Sequence, residues 1–558
     1  MENSYEKLPS STKKDDVKWM FRNTKGGWMR FRLGIFILLV AVRAVVSVAI
    51  AYVLMFFMDV ATGETDFTLN NVIVIAAIIL IIGGIVDVLA SYVRASYIGK
   101  QEIVVRKKVL NKVFSASILD VKHIHTGEMV TRLTADTRTV AEFFPVIFND
   151  IVGAVFLSLF ALVNLFFLSW QVALVLFISL PVIMTVLSLF NFPMAKVDKR
   201  NKANDESIRV RMQENLRILP LIKAYSSQDN FMKNLSCLFE RRYKSEVAFG
   251  TFEGFAFFVN SLLANLMLII TLGAGAYFVL QGVTTLGTLV AMVQLLNYIL
   301  NPLSRMSRGL TSLAQAKVSA GRIREVADIS SMETAKQPSL YDSGLMRIEA
   351  KGISFAYDTG ADVFTDMSFS AKVGEITGIV GGSGIGKSTF LKVLMGLYVP
   401  SKGEVKLVGE SWDSSEVLSR TAYVSSDSYL FLGTIAENIC MMQSPDIKRL
   451  DEVVEMVNIR TFIDSLPEKY DSIVGEEGSK LSSGQAQRIA IARALYSGLP
   501  ILVLDEPTAN IDSENVKNLQ NILKELSVSR ICIVVTHDEE FLSVCDKVYQ
   551  FDGNSAGN

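Results

Sequence analysis

The chemistry of this chain is concentrated in a nine-residue run, GGSGIGKST at 381–389, set between an apolar stretch at Glu375–Val380 and the helical pattern FLKVLMGL. Gly381, Gly382, Ser383, Gly384, Ile385 and Gly386 form a loop whose glycines let the backbone curl until its amides point inward. The helix that follows adds the partial positive charge of its N-terminus, so the loop is built to cradle phosphate. Lys387 is placed to reach the β- and γ-phosphates of a nucleotide, and Ser388, followed by Thr389, to hold a magnesium ion.

Two further strand-like runs end in chemistry. ILVLDEP delivers Asp505 and Glu506, which suit a magnesium ion and an attacking water, respectively. ICIVVTH delivers His537, where it can sense or stabilise a γ-phosphate. Taken singly, a carboxylate pair or a histidine is more often structural. Three strands ending in matched groups point to hydrolysis of ATP with Mg2+.

These groups need a parallel α/β sheet to position them, and from residue 345 onward short β-rich runs alternate with helical stretches as such a sheet requires. The remainder of the 558 residues differs in kind. Half of the chain is hydrophobic although 20% is charged, which implies an apolar portion joined to a polar one. Stretches near 31–58, 72–95, 146–168, 171–193, 255–280 and 284–304 are each long enough to cross a bilayer, which takes about 20 largely apolar residues. Asp59, Glu64 and Asp66, with no Lys or Arg between the first two spans, place that loop outside. Arg106, Lys107, Lys108 and Lys112 after the second span, and Lys196, Lys199, Arg200 and Lys202 after the fourth, place those segments in the cytoplasm. Segments 96–145 and 194–254 read as helical throughout, and 315–344 (SSMETAKQPSLYDSG within it) reads as a linker. The expected organisation is a cytoplasmic N-terminal segment (1–30), an all-α six-helix transmembrane domain with long cytoplasmic extensions (31–314), a linker (315–344) and an α/β P-loop ATPase domain (345–558). The polar first thirty residues are not a cleaved signal peptide. A net charge of −1 gives no sign of a nucleic-acid partner, and Cys237, Cys440, Cys532 and Cys545 lack metal-ligand or disulfide spacing.

KLSSGQAQRIAIARAL before ILVLDEPTANID resembles the signature and D-loop of ATP-binding-cassette proteins, and GEMVTRLTADTRTV and ENLRILPLIKAY resemble the intracellular loops of half-size type IV exporters. The resemblance covers nearly the whole chain. It implies a dimer with a second half-transporter, identical or different, in which each ATP is sandwiched between one subunit's P-loop and the other's signature. Here the signature is Ser482, Ser483, Gly484 and Gln485, with Asp512 closing the D-loop. It also implies that Tyr357 stacks on adenine, although an aromatic there is by itself an ordinary strand residue. Two positions depart from the family pattern. Ser426 replaces the glutamine that contacts magnesium and the transmembrane loops, and Ser483 occupies the first glycine of LSGGQ. The second departure favours a heterodimer, because a signature acts on the partner's ATP.

Within the membrane, Arg43 and Asp87 lie fifteen positions from the span ends at 58 and 72 and are expected to pair. Gln294, Asn297 and Asn301 share a face of the sixth span, where they line a substrate path or bond between helices. The function expected is ATP-driven transport across the cell membrane by alternating access, as an exporter of a small molecule, lipid or peptide. An importer of siderophore-like molecules shares the same fold. An ATP-gated channel or regulatory protein is disfavoured by the intact Glu506. A soluble cassette ATPase acting on nucleic acid is excluded by the spans.

Overall fold

The structure is a computed structural model that describes residues 19, 27–124, 126–329, 346–357, 360, 362–408, 414–475, 481–509 and 512–552. At several positions of 175–199, and at 260, 301–304, 307, 308 and 414–416, only the backbone is described. Most of the N-terminal segment 1–30, linker residues 330–344 and the side chain of Asn301 therefore fall outside the described residues.

The chain forms two compact units, one of residues 1–109 and 129–326, the other of residues 110–128 and 327–558. In the first, each of the six apolar stretches lies in a helix: Gly27–Thr62, Leu69–Ser115, the run ending in Gly153–Leu168, Trp170–Arg217, Gln228–Leu280 and Leu286–Ala327. Four of these runs are long and apolar enough to cross a membrane by the described residues alone, and Leu286–Leu300 adds a shorter apolar helix. Val48, Ala161, Leu165, Val172, Met267, Leu295 and Ile299 come from five of them and meet in one buried core. The outer surface is apolar as well. Ile78, Leu80, Ile81, Val88 and Phe167 are exposed, as suits contact with lipid chains and not with water.

The helices also run further than the apolar stretches. The sixth continues to Ala327, so the boundary expected at 314–315 lies inside a helix; its polar last turns misled a reading based on apolar periodicity. Segments 96–145 and 194–254, expected to be helical throughout, are each interrupted. Short helices Ile118–Lys122 and Leu219–Ala224 stand between the long ones. Ser117 is extended there (ψ 138°), Pro220 enters the first turn of its helix, and Ser226 adopts a φ of 49°, so the chain changes direction at these points. Two stretches, Arg132–Asp136 and Ile147–Val152, are π-helical.

Arg43 Nε and Asp87 Oδ1 are 3.0 Å apart, both half-exposed on the helical bundle. Either neutral substitution alone is expected to lower folded yield more than the double substitution, because each leaves one charge without its partner. A double-mutant cycle on detergent-extracted protein checks this, and additive losses would contradict coupling.

In the second unit, strands β1 (Arg347–Ala356), β2 (Asp362–Lys372) and β4 (Lys402–Val408) form an antiparallel sheet in the order β2-β1-β4. Strands β3 (Ile376–Val380), β5 (Thr421–Val424), β6 (Ile501–Asp505), β7 (Ile531–Val535) and β8 (Lys547–Gln550) form a parallel sheet in the order β5-β6-β7-β3-β8. Every residue of β6 and β7 is buried, as strands covered on both faces require. Leu502, Leu504, Cys532 and Val534 enter one core and Ile501, Val503, Ile531 and Ile533 the other. Burial pushes the Cys532 thiol up to about 12, which makes it inert, whereas Cys237 is exposed.

Candidate functional site

Strands β6, β7 and β3 are neighbours and run parallel, so their carboxyl ends open on the same edge of the sheet. That edge receives the P-loop from β3, Asp505 and Glu506 from β6, and His537 from just beyond β7. Ligands of open α/β sheets bind at such an edge.

The P-loop turns through Gly384 (φ 78°) and Gly386 (φ 110°), a backbone region that other residues enter only with strain. Gly386 caps the helix Lys387–Leu394. Nζ of Lys387, which is buried, donates to the carbonyl oxygens of Gly381 (2.9 Å) and Gly382 (2.8 Å). The ammonium is thus held over the concave side of the loop, where phosphate oxygens would replace the carbonyls as acceptors.

Asp505 is almost fully buried, and burial raises its carboxyl pKa against the opposing effect of hydrogen bonds from Ser388 and Tyr423. Tyr423 Oη donates to Asp505 Oδ2 at 3.3 Å. A desolvated carboxylate beside a hydroxyl is the hard oxygen set that a magnesium ion takes. Glu506 has a φ of 50°, a strained conformation for a non-glycine residue that concentrates at functional sites. Its amide donates to Val535 O at 2.8 Å, and its Oε1 lies 3.8 Å from His537 Nδ1. Glu506 and His537 thus face each other across the ends of adjacent strands.

Tyr357 follows β1, with its hydroxyl 3.0 Å from Thr389 Oγ1 on the P-loop helix. Its ring meets Phe355 and Tyr398 edge to face at 5.1 and 6.1 Å. It remains half-exposed, so it is both a packed aromatic and a ring available for stacking. Ser426 lies in the turn after β5, closed by the Ser428 amide donating to Ser425 O at 3.1 Å.

The signature begins the helix Ser483–Ser497. Ser482 Oγ accepts from the Gln485 amide at 3.2 Å, and Gln485 Oε1 accepts from the Ser482 amide at 2.9 Å, a reciprocal capping box. Ser483 is the exposed first residue of that helix, a position where a serine side chain costs the fold little. Any effect of the substitution is therefore on what approaches the helix end. Asp512 caps the helix Ser513–Ser527 by accepting from the Asn515 amide at 2.9 Å, so it has a structural task within this chain.

Two residues at this site were not singled out from the sequence. Gln487, fully buried, donates through Nε2 to Pro507 O at 2.5 Å and so ties the signature helix to the segment after Glu506. Arg493 donates to Asn438 O (2.8 Å) and Tyr429 O (2.9 Å), fastening the loop beyond Ser426 to the same helix. Burial lowers its pKa. Both are polar residues in or beside the otherwise buried, apolar run Ile489–Leu495, and that break in pattern is the signal that could have found them.

In the sixth membrane helix, Gln294 Nε2 donates to Tyr298 Oη at 2.8 Å, one turn along the same helix. Asn297 is exposed, opposite the buried Met292, Leu295, Leu296 and Ile299. Neither amide bonds to another helix among the described residues.

Bilayer-length helices and a P-loop sheet edge carried in one chain define a membrane-embedded P-loop ATPase. Residues 33–303 match the family model of the ABC transporter transmembrane region, and residues 364–509 match that of the ABC transporter. A multidrug resistance ABC transporter ATP-binding and permease protein of Lactococcus lactis subsp. lactis (strain IL1403) is 30% identical over 452 residues, covering 80% of this chain and 76% of the relative. A probable multidrug resistance ABC transporter ATP-binding/permease protein of Bacillus subtilis (strain 168) is 28% identical, with 80% and 67% covered. The solved structure of a bacterial Atm1-family ABC exporter with ATP bound shares the fold, with a TM-score of 0.80 at 21% identity, 96% of this chain and 95% of that chain covered. The chain belongs to the ABC transporter family, with its transmembrane and ATPase domains fused in one polypeptide. It is a multi-pass membrane protein with an ATPase coupled to transport.

Proposed function

We propose that this chain is one half of a dimeric exporter that alternates between inward- and outward-open states as ATP closes, and hydrolysis reopens, a pair of ATPase domains. The observation that carries this reading is the convergence of Lys387, Asp505, Glu506 and His537 at the ends of three adjacent parallel strands. Backbone amides of 381–386 and Lys387 bind the β- and γ-phosphates. Ser388 and Asp505 hold magnesium, which neutralises phosphate charge when bound. Glu506 orients and deprotonates the attacking water, His537 stabilises charge on the γ-phosphate, and Tyr357 stacks on adenine. Ser482, Ser483, Gly484, Gln485 and Asp512 face the partner's nucleotide. The N-terminus and the ATPase domain lie in the cytoplasm, as the basic segments after the second and fourth spans favour. Export of a small molecule is supported by the names of the multidrug resistance relatives.

The departure at Ser483 supports a heterodimer. An intact P-loop and Glu506 on this chain complement a partner with a standard signature and a weakened carboxylate. Expressed alone, the chain is expected to show low turnover that rises when the partner is added. Ser483→Gly is then expected to act only at the site built on the partner's P-loop. Mass measurement in nanodiscs combined with ATPase assays tests this. A stable dimer of the lone chain with full, compound-stimulated turnover would overturn the heterodimer.

A further inference from the structure

Within the membrane unit, a cavity of 270 Å³ opens between the first, third and sixth membrane helices, with Arg43, Ser47, Asn149, Tyr298 and Arg305 as its polar wall and aliphatic side chains such as Leu157 as the remainder. We propose that this cavity binds the anionic head of an amphiphile, a phosphate or carboxylate carrying an apolar chain. The inference rests on the transporter reading and names the class of molecule its membrane domain takes.

The wall is rich in donors and poor in acceptors. Among the described residues it carries two guanidinium groups and no carboxylate. Arg43 is offset by Asp87 at 3.0 Å, but Arg305 has no ion pair among the described residues. Asp150, next in sequence to Asn149, is not a lining residue, and its Oδ1 accepts from Asn149 Nδ2 at 2.6 Å. Tyr298 Oη accepts from Gln294, which leaves its own proton to donate. The Ser47 hydroxyl already donates to Arg43 O at 2.9 Å, so the donors an occupant would meet are the Arg305 guanidinium and the Tyr298 proton. An apolar or cationic occupant would leave both unanswered, whereas an anion satisfies both at once. The volume sits just below the usual range for a pocket that encloses a drug-sized ligand, about 300–1,000 Å³. It suits a head and its first few carbons, with the chain lying outside among the apolar helix faces.

A second observation points to the same place. Asn149 lies in the π-helical stretch Ile147–Val152, two positions after it begins, and Pro145 precedes that stretch. Such π-turns are rare and mark functional sites, and here the irregular turn supplies the cavity wall. Gly153, at its end, approaches the first helix so closely that an added Cβ would stand 2.6 Å from Val40 Cγ1.

The test is binding of dodecyl phosphate to the full chain in nanodiscs without nucleotide, compared with dodecyltrimethylammonium and inorganic phosphate. Dodecyl phosphate is expected to bind saturably, and at least tenfold more weakly to Arg305→Gln, while Arg305→Lys stays within about threefold of the parent. The lysine variant separates lost charge from lost folding. Repeating the titration in phosphatidylglycerol and phosphatidylcholine discs identifies the source: competition by phosphatidylglycerol assigns the site to a lipid headgroup, and its absence to a free amphiphile. Equal binding of the ammonium compound, equal binding of inorganic phosphate, or no effect of Arg305→Gln would overturn the proposal. Because no nucleotide is present, ATP-driven transport that survives without probe binding would sink this site alone. Probe binding without ATP-driven transport would sink the transporter reading alone.

Discussion

Glu506→Gln is expected to bind ATP as the parent does and to lose at least about 100-fold in turnover, the contribution of a positioned general base. The amide keeps the shape of the carboxylate but cannot accept a proton from water. Glu506 is also held at a φ of 50° with its amide bonded to Val535 O, so an isosteric change leaves the strained turn in place. Steady-state hydrolysis paired with nucleotide binding checks the expectation. Turnover within a few-fold of the parent would remove Glu506 from the role proposed for it.

Lys387→Ala is expected to fail at the earlier step. A charge-assisted hydrogen bond contributes about 1.5–3 kcal/mol, so ATP affinity should fall roughly ten- to hundredfold. Among the described residues Lys387 donates only within its own loop, to Gly381 and Gly382, so removing it costs the rest of the fold little. The two variants thus separate binding from chemistry. Unaltered ATP affinity in Lys387→Ala would contradict the phosphate-binding loop.

Much of this was legible in the sequence because the decisive features are local. The loop 381–389 fixes its own turn through Gly384 and Gly386, and a parallel strand buried on both faces must be continuously apolar, so ILVLD and ICIVV announce themselves. Equal distance from two span ends was enough to pair Arg43 with Asp87. Legibility ended where the cause is tertiary. The helix to Ala327 continues because its flank is packed (Ala320, Ile323 and Val326 are buried), although its other faces are polar. The breaks near Ser117 and Ser226 carry no proline–glycine cluster to announce them. Gln487 and Arg493 matter through carbonyls far away in sequence, and the cavity near Arg305 exists only once three helices pack together. Ser483 gives the opposite lesson: the sequence marks it as unusual, and the capped, exposed helix end shows why the fold accepts it.

The central claim is that ATP bound at this chain's P-loop moves its membrane helices between two accessible states. It is tested most directly by placing one reporter on the exposed face of the sixth membrane helix, as Asn297→Cys in a Cys237→Ser, Cys545→Ser, Glu506→Gln background, reconstituted as the proposed dimer. The rate of labelling by a membrane-impermeant maleimide is then measured from each side of the bilayer. Without nucleotide, labelling is expected from the ATPase side. With ATP and magnesium it should fall on that side and rise on the other, and Lys387→Ala should abolish the switch. Labelling rates that stay the same on both sides with ATP bound would contradict the account.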